Sequence, residues 1–208
     1  MKNEHKDNKD TEMKILQAAR QVFLSKGYEG ARMQEIADSA GINKALLHYY
    51  FRKKENLFVE IIKQALGDFF PKITNIWVKD IPFDDRVRQF IVNYISFSLE
   101  NPDLPRFFIN VLYQKPELFV TGIHLKDYVK ILNLQEILDN EAKSGRIKQV
   151  DAYQFIITIL SLCIFPAISN PLLRTTFKLS EDKFKEMMEE RKEIVPEIVL
   201  NWLHINNK

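Results

Sequence analysis

Apolar residues recur with a helical period along nearly the whole chain. Over residues 11–26, Ile15, Ala18, Ala19, Val22 and Phe23 follow the i, i+3, i+4, i+7, i+8 spacing of an amphipathic helix. Thr11 is placed to cap it, and Gly27 to end it in the left-handed conformation that glycine adopts at little cost. Met33, Ile36, Ala37 and Ala40 mark a short second helix ending at Gly41. After a turn of two or three residues, Asn43 caps a third helix over 44–51. Leu57, Phe58, Ile61, Ile62, Ala65 and Phe69 continue a periodic face that Pro71 should kink or stop. Further helices are predicted over 83–99, 106–114 and 124–144, and over 151–165 with Asp151 as cap. Ser180 opens the last one, with Phe184, Met187, Met188, Arg191, Ile194, Val195, Ile198 and Trp202 along one side. No strand-like alternation competes and no repeat is present. The fold class is therefore all-α: a three-helix N-terminal domain over residues 1–53 and a larger helical domain over 54–208. A helix beginning near Lys53 joins them without a flexible linker.

Composition narrows the chemistry. The chain has 208 residues and one cysteine, Cys163. That excludes an internal disulfide framework and makes a reducing cytoplasm the expected compartment. Residues 1–14 are polar and lack the apolar core of a secretory signal. No charge occurs from Ala152 to Leu173. Its apolar heart falls short of the roughly 20 residues a membrane span needs, and Pro166 and Pro171 interrupt it. A buried helix, with no membrane partner, is the expectation. There is no phosphate loop, dinucleotide glycine pattern, Gly-x-Ser-x-Gly or His-Glu-x-x-His. The four histidines and Cys163 lack metal-ligand spacing. No enzymatic activity, cofactor or metal is predicted. Charge is uneven: residues 1–54 carry 11 Lys and Arg against 7 Asp and Glu, so the N-terminal end suits a local anionic partner.

Two short helices joined by a tight Gly-containing turn form the helix-turn-helix layout, whose second member enters the DNA major groove. On a helical wheel for residues 44–51, Leu47, Tyr50 and Phe51 face inward. Lys44, Ala45, His48 and Tyr49 face outward. Arg52, Lys53 and Lys54 follow, and no acid stands between Asn43 and Lys54. Asn43 and the open amides at the helix N-terminus suit phosphate, as do Tyr49 and Lys54. Lys44, Ala45 and His48 can reach base edges, and Gln34 either. A helical interaction protein with a basic end for an acidic partner is the alternative, separated from this one by binding to duplex DNA.

Residues 15–58, with Ile15 to Ala19, Phe23, Gly27-Tyr28, Ile36-Ala37, Ala40 to Ala45 and Tyr49 to Glu55, resemble the DNA-binding domain of the tetracycline-repressor (TetR) family. The family usually has Thr or Ser where Ala31 and Arg32 stand, which removes a side-chain cap and frees Arg32 for phosphate. The resemblance implies a repressor that leaves a palindromic DNA operator when a small molecule binds the larger domain. It also implies a homodimer formed through the last two helices. Exposed on a monomer, Phe155, Ile159, Leu162, Phe184, Met188 and Val195 would make an apolar patch large enough to demand a partner. The middle of the chain is rich in aromatics, among them Phe90 and Phe107. Trp77, Tyr94, Phe97, Phe108 and Tyr113 are the candidates for a pocket that takes an apolar or aromatic effector. Ordinary core residues at helical spacing are the competing reading for any one of them.

Overall fold

Positive φ at two glycines divides the N-terminal part of the chain into helices. The structure, a computed structural model, describes residues 2–67, 69–105, 109, 112, 113, 116, 117, 120 and 133–204. The first helix, α1 (Lys2–Gly30), is kinked at Gly27, where φ is 71° and ψ 173°. It begins well before Thr11, which lies inside the helix instead of capping it; no Gly or Pro between Lys2 and Lys26 offers a stop. α2 (Met33–Ser39) follows, then α3 (Lys44–Tyr50) and α4 (Lys54–Leu66). Between α2 and α3, Gly41 sits at φ 68°. The Gly41 and Ile42 amides donate to the carbonyls of Asp38 (3.1 Å) and Ala37 (3.0 Å), closing the end of α2.

The first compact unit comprises residues 1–68 with 106–125. Within it α1 packs on α2 and α4, and α2 on α3. Its core contains Ile15, Phe23, Ile36, Leu47, Leu57, Phe58 and Ile62, all essentially without exposure. Phe58 meets Phe23 and Tyr28 edge-on, with ring centroids 5.3 and 5.0 Å apart. Packing thus assigns α4 to the first unit, past the 53/54 boundary expected from sequence. The reason is that α1 needs Leu57, Phe58 and Ile62 to cover its apolar face.

The second unit comprises residues 69–105 and 126–208. It opens with α5 (Phe69–Thr74) and a 3₁₀ turn, Asn75–Val78. α4 has already ended at Leu66, and Pro71 sits harmlessly in the first turn of α5, where an N–H would have no helical partner. Then come α6 (Phe83–Glu100), α7 (Leu134–Lys143), α8 (Ala152–Ile168), α9 (Asn170–Phe177) and α10 (Glu181–Leu203). α6 packs against α8 and α10, and these two against each other. Asp151 caps α8 through the Gln154 amide at 3.0 Å, and Ser180 caps α10 through the Lys183 amide at 3.1 Å. Of the helix expected over 106–114 only residues 109, 112 and 113 are described, and the first part of that over 124–144 lies outside the described residues.

Pro166 does not stop α8, which continues to Ile168. A proline there deprives the Leu162 carbonyl, four residues earlier, of its helical N–H. Arg191 of α10 supplies the replacement: its Nη2 donates to the Leu162 oxygen at 2.6 Å. No single described helix is long and apolar enough to cross a membrane, and α8 with α9 reaches that length only across a 65° bend.

Trp77, Phe83, Phe90 and Phe155 form the aromatic centre of this unit, with Trp77 5.6 Å from Phe90 and 5.7 Å from Phe155. One expectation fails here. Phe155, Ile159, Phe184, Met188 and Val195 are buried inside the chain itself, and Leu162 is half-buried, so they do not make an exposed patch. Helix α6 covers the face they share. The apolar side chains left outside on the same two helices are Tyr153, Ile157 and Phe165 of α8 and Ile194 and Ile198 of α10.

Cys163 is completely buried in α8, and burial pushes its thiol from 9.0 up to about 12. Below pH 9 the thiol keeps its proton in both folded and unfolded chains. Between the two values only the unfolded chain ionises, so this group's contribution to stability is lost as pH rises through that window. The native protein should leave a thiol reagent unconsumed at about pH 8 and take up one equivalent once unfolded. Rapid native labelling would contradict this burial.

Candidate nucleic-acid interface

Helix α3 is seven residues long and has one fully buried side chain, Leu47. Phe51 is buried just beyond it and Tyr50 is half-buried, as the wheel requires. The opposite face holds Lys44, Ala45, His48 and Tyr49, all exposed, Tyr49 at 76%. Leu46 is exposed too, which the wheel did not single out. The Asn43 Oδ1 accepts the Leu46 amide at 2.8 Å, so the cap is made, while the first amides of α3 have no helical partner. An N-terminus of this kind carries partial positive charge.

The remaining predicted contacts are arranged unequally. His48 Nδ1 lies 3.3 Å from the Arg52 carbonyl; since a carbonyl accepts, the ring donates there and Nε2 is left outward. Arg32 is exposed, in extended conformation before α2, and makes no side-chain cap, as the replacement of Thr or Ser implied. Gln34 is exposed on α2 with its amide donating to Asp38 at 2.8 Å. Arg52 and Lys53 are also exposed. Lys26 and Glu35 pair at 2.8 Å, and the hydrogen bond from Lys26 holds the Glu35 carboxyl below its usual range.

Lys54, expected at a phosphate, has its ammonium group turned toward backbone carbonyls. Its Nζ donates to the carbonyls of Tyr28 at 2.8 Å and Ala31 at 3.2 Å, with Glu29 at 3.5 Å. It also lies 4.5 Å from the centre of the Tyr28 ring. An ammonium group has three hydrogens, and here all three are directed into the protein. Tyr28 is itself buried; burial, reinforced by Glu55, raises its phenol well above the ordinary range. Only the long separation in sequence between residues 28 and 54 hid this contact.

Of the effector candidates, Trp77, Tyr94 and Phe97 are linked through the rings of Phe90 and Phe69. Trp77 is a core residue of the second unit, with its indole nitrogen buried and without an acceptor. Tyr94 and Phe97 pack on Phe69, Phe97 stacking at 4.0 Å. Burial, which leads among the causes, raises the Tyr94 phenol above its ordinary range. Tyr113 is 86% exposed and so lines no enclosed cavity, and Phe108 lies outside the described residues. What the sequence did not flag is an open groove of about 480 Å³ on α8, α9 and α10, between Leu162, Phe165, Leu173 and Met187. Among the described residues no cluster of His, Cys, Asp or Glu is arranged to hold a metal.

Two short helices joined at a left-handed glycine, the second turning an acid-free face to solvent, form the helix-turn-helix layout. Residues 15–61 match the family described as bacterial regulatory proteins, tetR family. The HTH-type transcriptional regulator RutR of Escherichia coli (strain K12) is 26% identical over 145 residues, covering 70% of this chain and 68% of that one. The HTH-type transcriptional repressor NicS of Pseudomonas putida is 36% identical over 112 residues, 54% of this chain and 50% of NicS. A crystal structure of a TetR family transcription regulator from Marinobacter aquaeolei VT8 shares the fold, with TM-score 0.69 and 16% identity over 96% of this chain and 98% of that one. The match to the tetR family thus covers the helix-turn-helix region, and the relatives that span more of the chain are transcriptional regulators.

Proposed function

We propose that the chain is a repressor that grips a near-palindromic operator as a homodimer and releases it when a small molecule binds. The outward face of α3 carries this reading: Lys44, Ala45, His48 and Tyr49 are exposed on a helix whose other side is anchored by Leu47. Lys44, Ala45 and His48 are set to meet base edges, and Tyr49, Arg32, Asn43 and Gln34 to fix register on phosphate. Repression is supported by the similarity to NicS, a transcriptional repressor. A two-fold dimer offers two copies of α3 to half-sites about 34 Å apart, which is why a palindrome is expected.

The interface is reassigned to the side of α8 and α10 opposite the core. Tyr153, Ile157 and Phe165 follow one another at helical spacing, as do Ile194 and Ile198, and all five are exposed. An apolar face of this extent calls for a partner of the same kind. The effector is an apolar or aromatic molecule held in the second unit. There the buried indole N–H of Trp77, with no acceptor, favours a ligand that presents an oxygen. Because α4 is packed with the DNA-reading helices and its chain passes into the second unit at residues 67–69, a ligand there can alter the spacing of the two α3 helices. The coupling is reciprocal: DNA weakens effector binding by the factor by which effector weakens DNA binding, typically roughly 5–150-fold.

Replacing Lys44 or Tyr49 with Ala should weaken binding to a selected duplex by roughly 5- to 150-fold, the value of a base or backbone contact of about 1–3 kcal/mol, with helix content unchanged. Affinity should also fall steeply as salt rises. Binding indifferent to salt and to both substitutions would favour the acidic-partner alternative.

The interface has a separate test in solution mass. Ile157→Asp combined with Ile198→Asp should give a folded monomer by light scattering, whereas Phe155→Asp, within the core, should unfold the chain. A wild-type chain of monomer mass at micromolar concentration would refute the dimer.

A further inference from the structure

We infer that Lys54 is a positioning residue for the recognition helix: its ammonium ties the corner between α3 and α4 to the corner between α1 and α2. Its consequence for DNA rests on the function proposed above; its geometry does not. α1 stops at Gly30, so the carbonyls of Tyr28 and Glu29 lie in its last turn, and the Ala31 carbonyl lies in the link to α2. All three converge on one cation, with Nζ at 2.8, 3.5 and 3.2 Å. A cation there also meets the partial negative charge at the end of α1. The receiving side is rigid, because Tyr28 is wedged against Phe23 and Phe58.

The giving side is the first residue of α4, three positions after the buried Phe51 that terminates α3. Asn43 fixes the start of α3, Leu47 its middle, and Lys54 fixes the chain that leaves it. A phosphate could reach Nζ only by displacing one of the carbonyls. Lysine suits the place for a chemical reason. Its three hydrogens diverge from a point toward three acceptors, whereas the planar guanidinium of arginine cannot follow them inward. Arginine would serve a phosphate at least as well as lysine. The conservative exchange therefore separates positioning from phosphate contact.

The test uses the full chain with Lys54→Met and Lys54→Arg. Without DNA, amide hydrogen exchange should quicken over residues 44–50 in both variants and stay unchanged over 181–203; unaltered exchange over 44–50 would overturn the inference. On a duplex selected by the wild-type chain from a random library, both variants should bind roughly 5- to 150-fold more weakly, as misaligned base contacts require. Their salt slope should equal that of the wild type. A slope shallower by about 0.9 in Lys54→Met, or full rescue by Lys54→Arg, would make Lys54 a phosphate contact and overturn the proposal. A wild-type chain that selects no duplex would reject DNA binding, and the exchange experiment would still decide the clamp.

Discussion

Everything the N-terminal unit can do depends on how a seven-residue helix is held. A helix of that length does not persist alone in water, because nucleation costs more than so few hydrogen bonds return. α3 is kept in place by one buried leucine, Leu47, by the Asn43 cap at its start and by Phe51 at its end. The economy of these attachments leaves most of the helix surface available. It also means that the surrounding core must be stiff, and α4 completes that core with Leu57, Phe58 and Ile62. The outward-facing helix α3 and the helix α4 that follows it thus share one packed interior.

The second unit shows the same dependence of a helix on a distant side chain. α8 is almost wholly apolar, and Pro166 breaks its hydrogen-bond ladder one turn before its end. Arg191 repairs the break from α10 by donating to the Leu162 carbonyl. A buried carbonyl without a donor would cost about 1–3 kcal/mol, so this contact links the continuity of α8 to the position of α10. Both helices then present apolar residues on the side away from α6, where the proposed dimer forms.

Much of this was legible in the sequence, and the failures have physical causes. Periodicity and glycine punctuation located α2, α3 and α6 closely, and Asn43, Asp151 and Ser180 cap where spacing placed them. The faces of α8 and α10 were another matter. When a helix is apolar nearly all round, as α8 is, periodicity does not say which side meets the chain's own core. Phe155 and Val195 were therefore assigned outward while Ile157 and Ile198 in fact lie there. The contacts of Lys54 were hidden for the opposite reason: a lysine beside a basic helix reads as a phosphate contact, and only tertiary structure brings three carbonyls to it. The aromatic residues gave a similar ambiguity, since Trp77 proved to be a core side chain whose indole nitrogen alone hints at a ligand.

In the proposed complex the outward face of α3 enters the major groove of both half-sites. Ala45 is exposed on that face and Cys163 is buried, so a thiol introduced by Ala45→Cys can be labelled selectively in the folded protein. With an iron chelate attached there, strand cleavage of a selected duplex should appear in two major-groove segments about one helical turn apart and related by a dyad. Cleavage that is absent, or that is equally strong from a chelate placed at Leu172 on α9, would contradict the account.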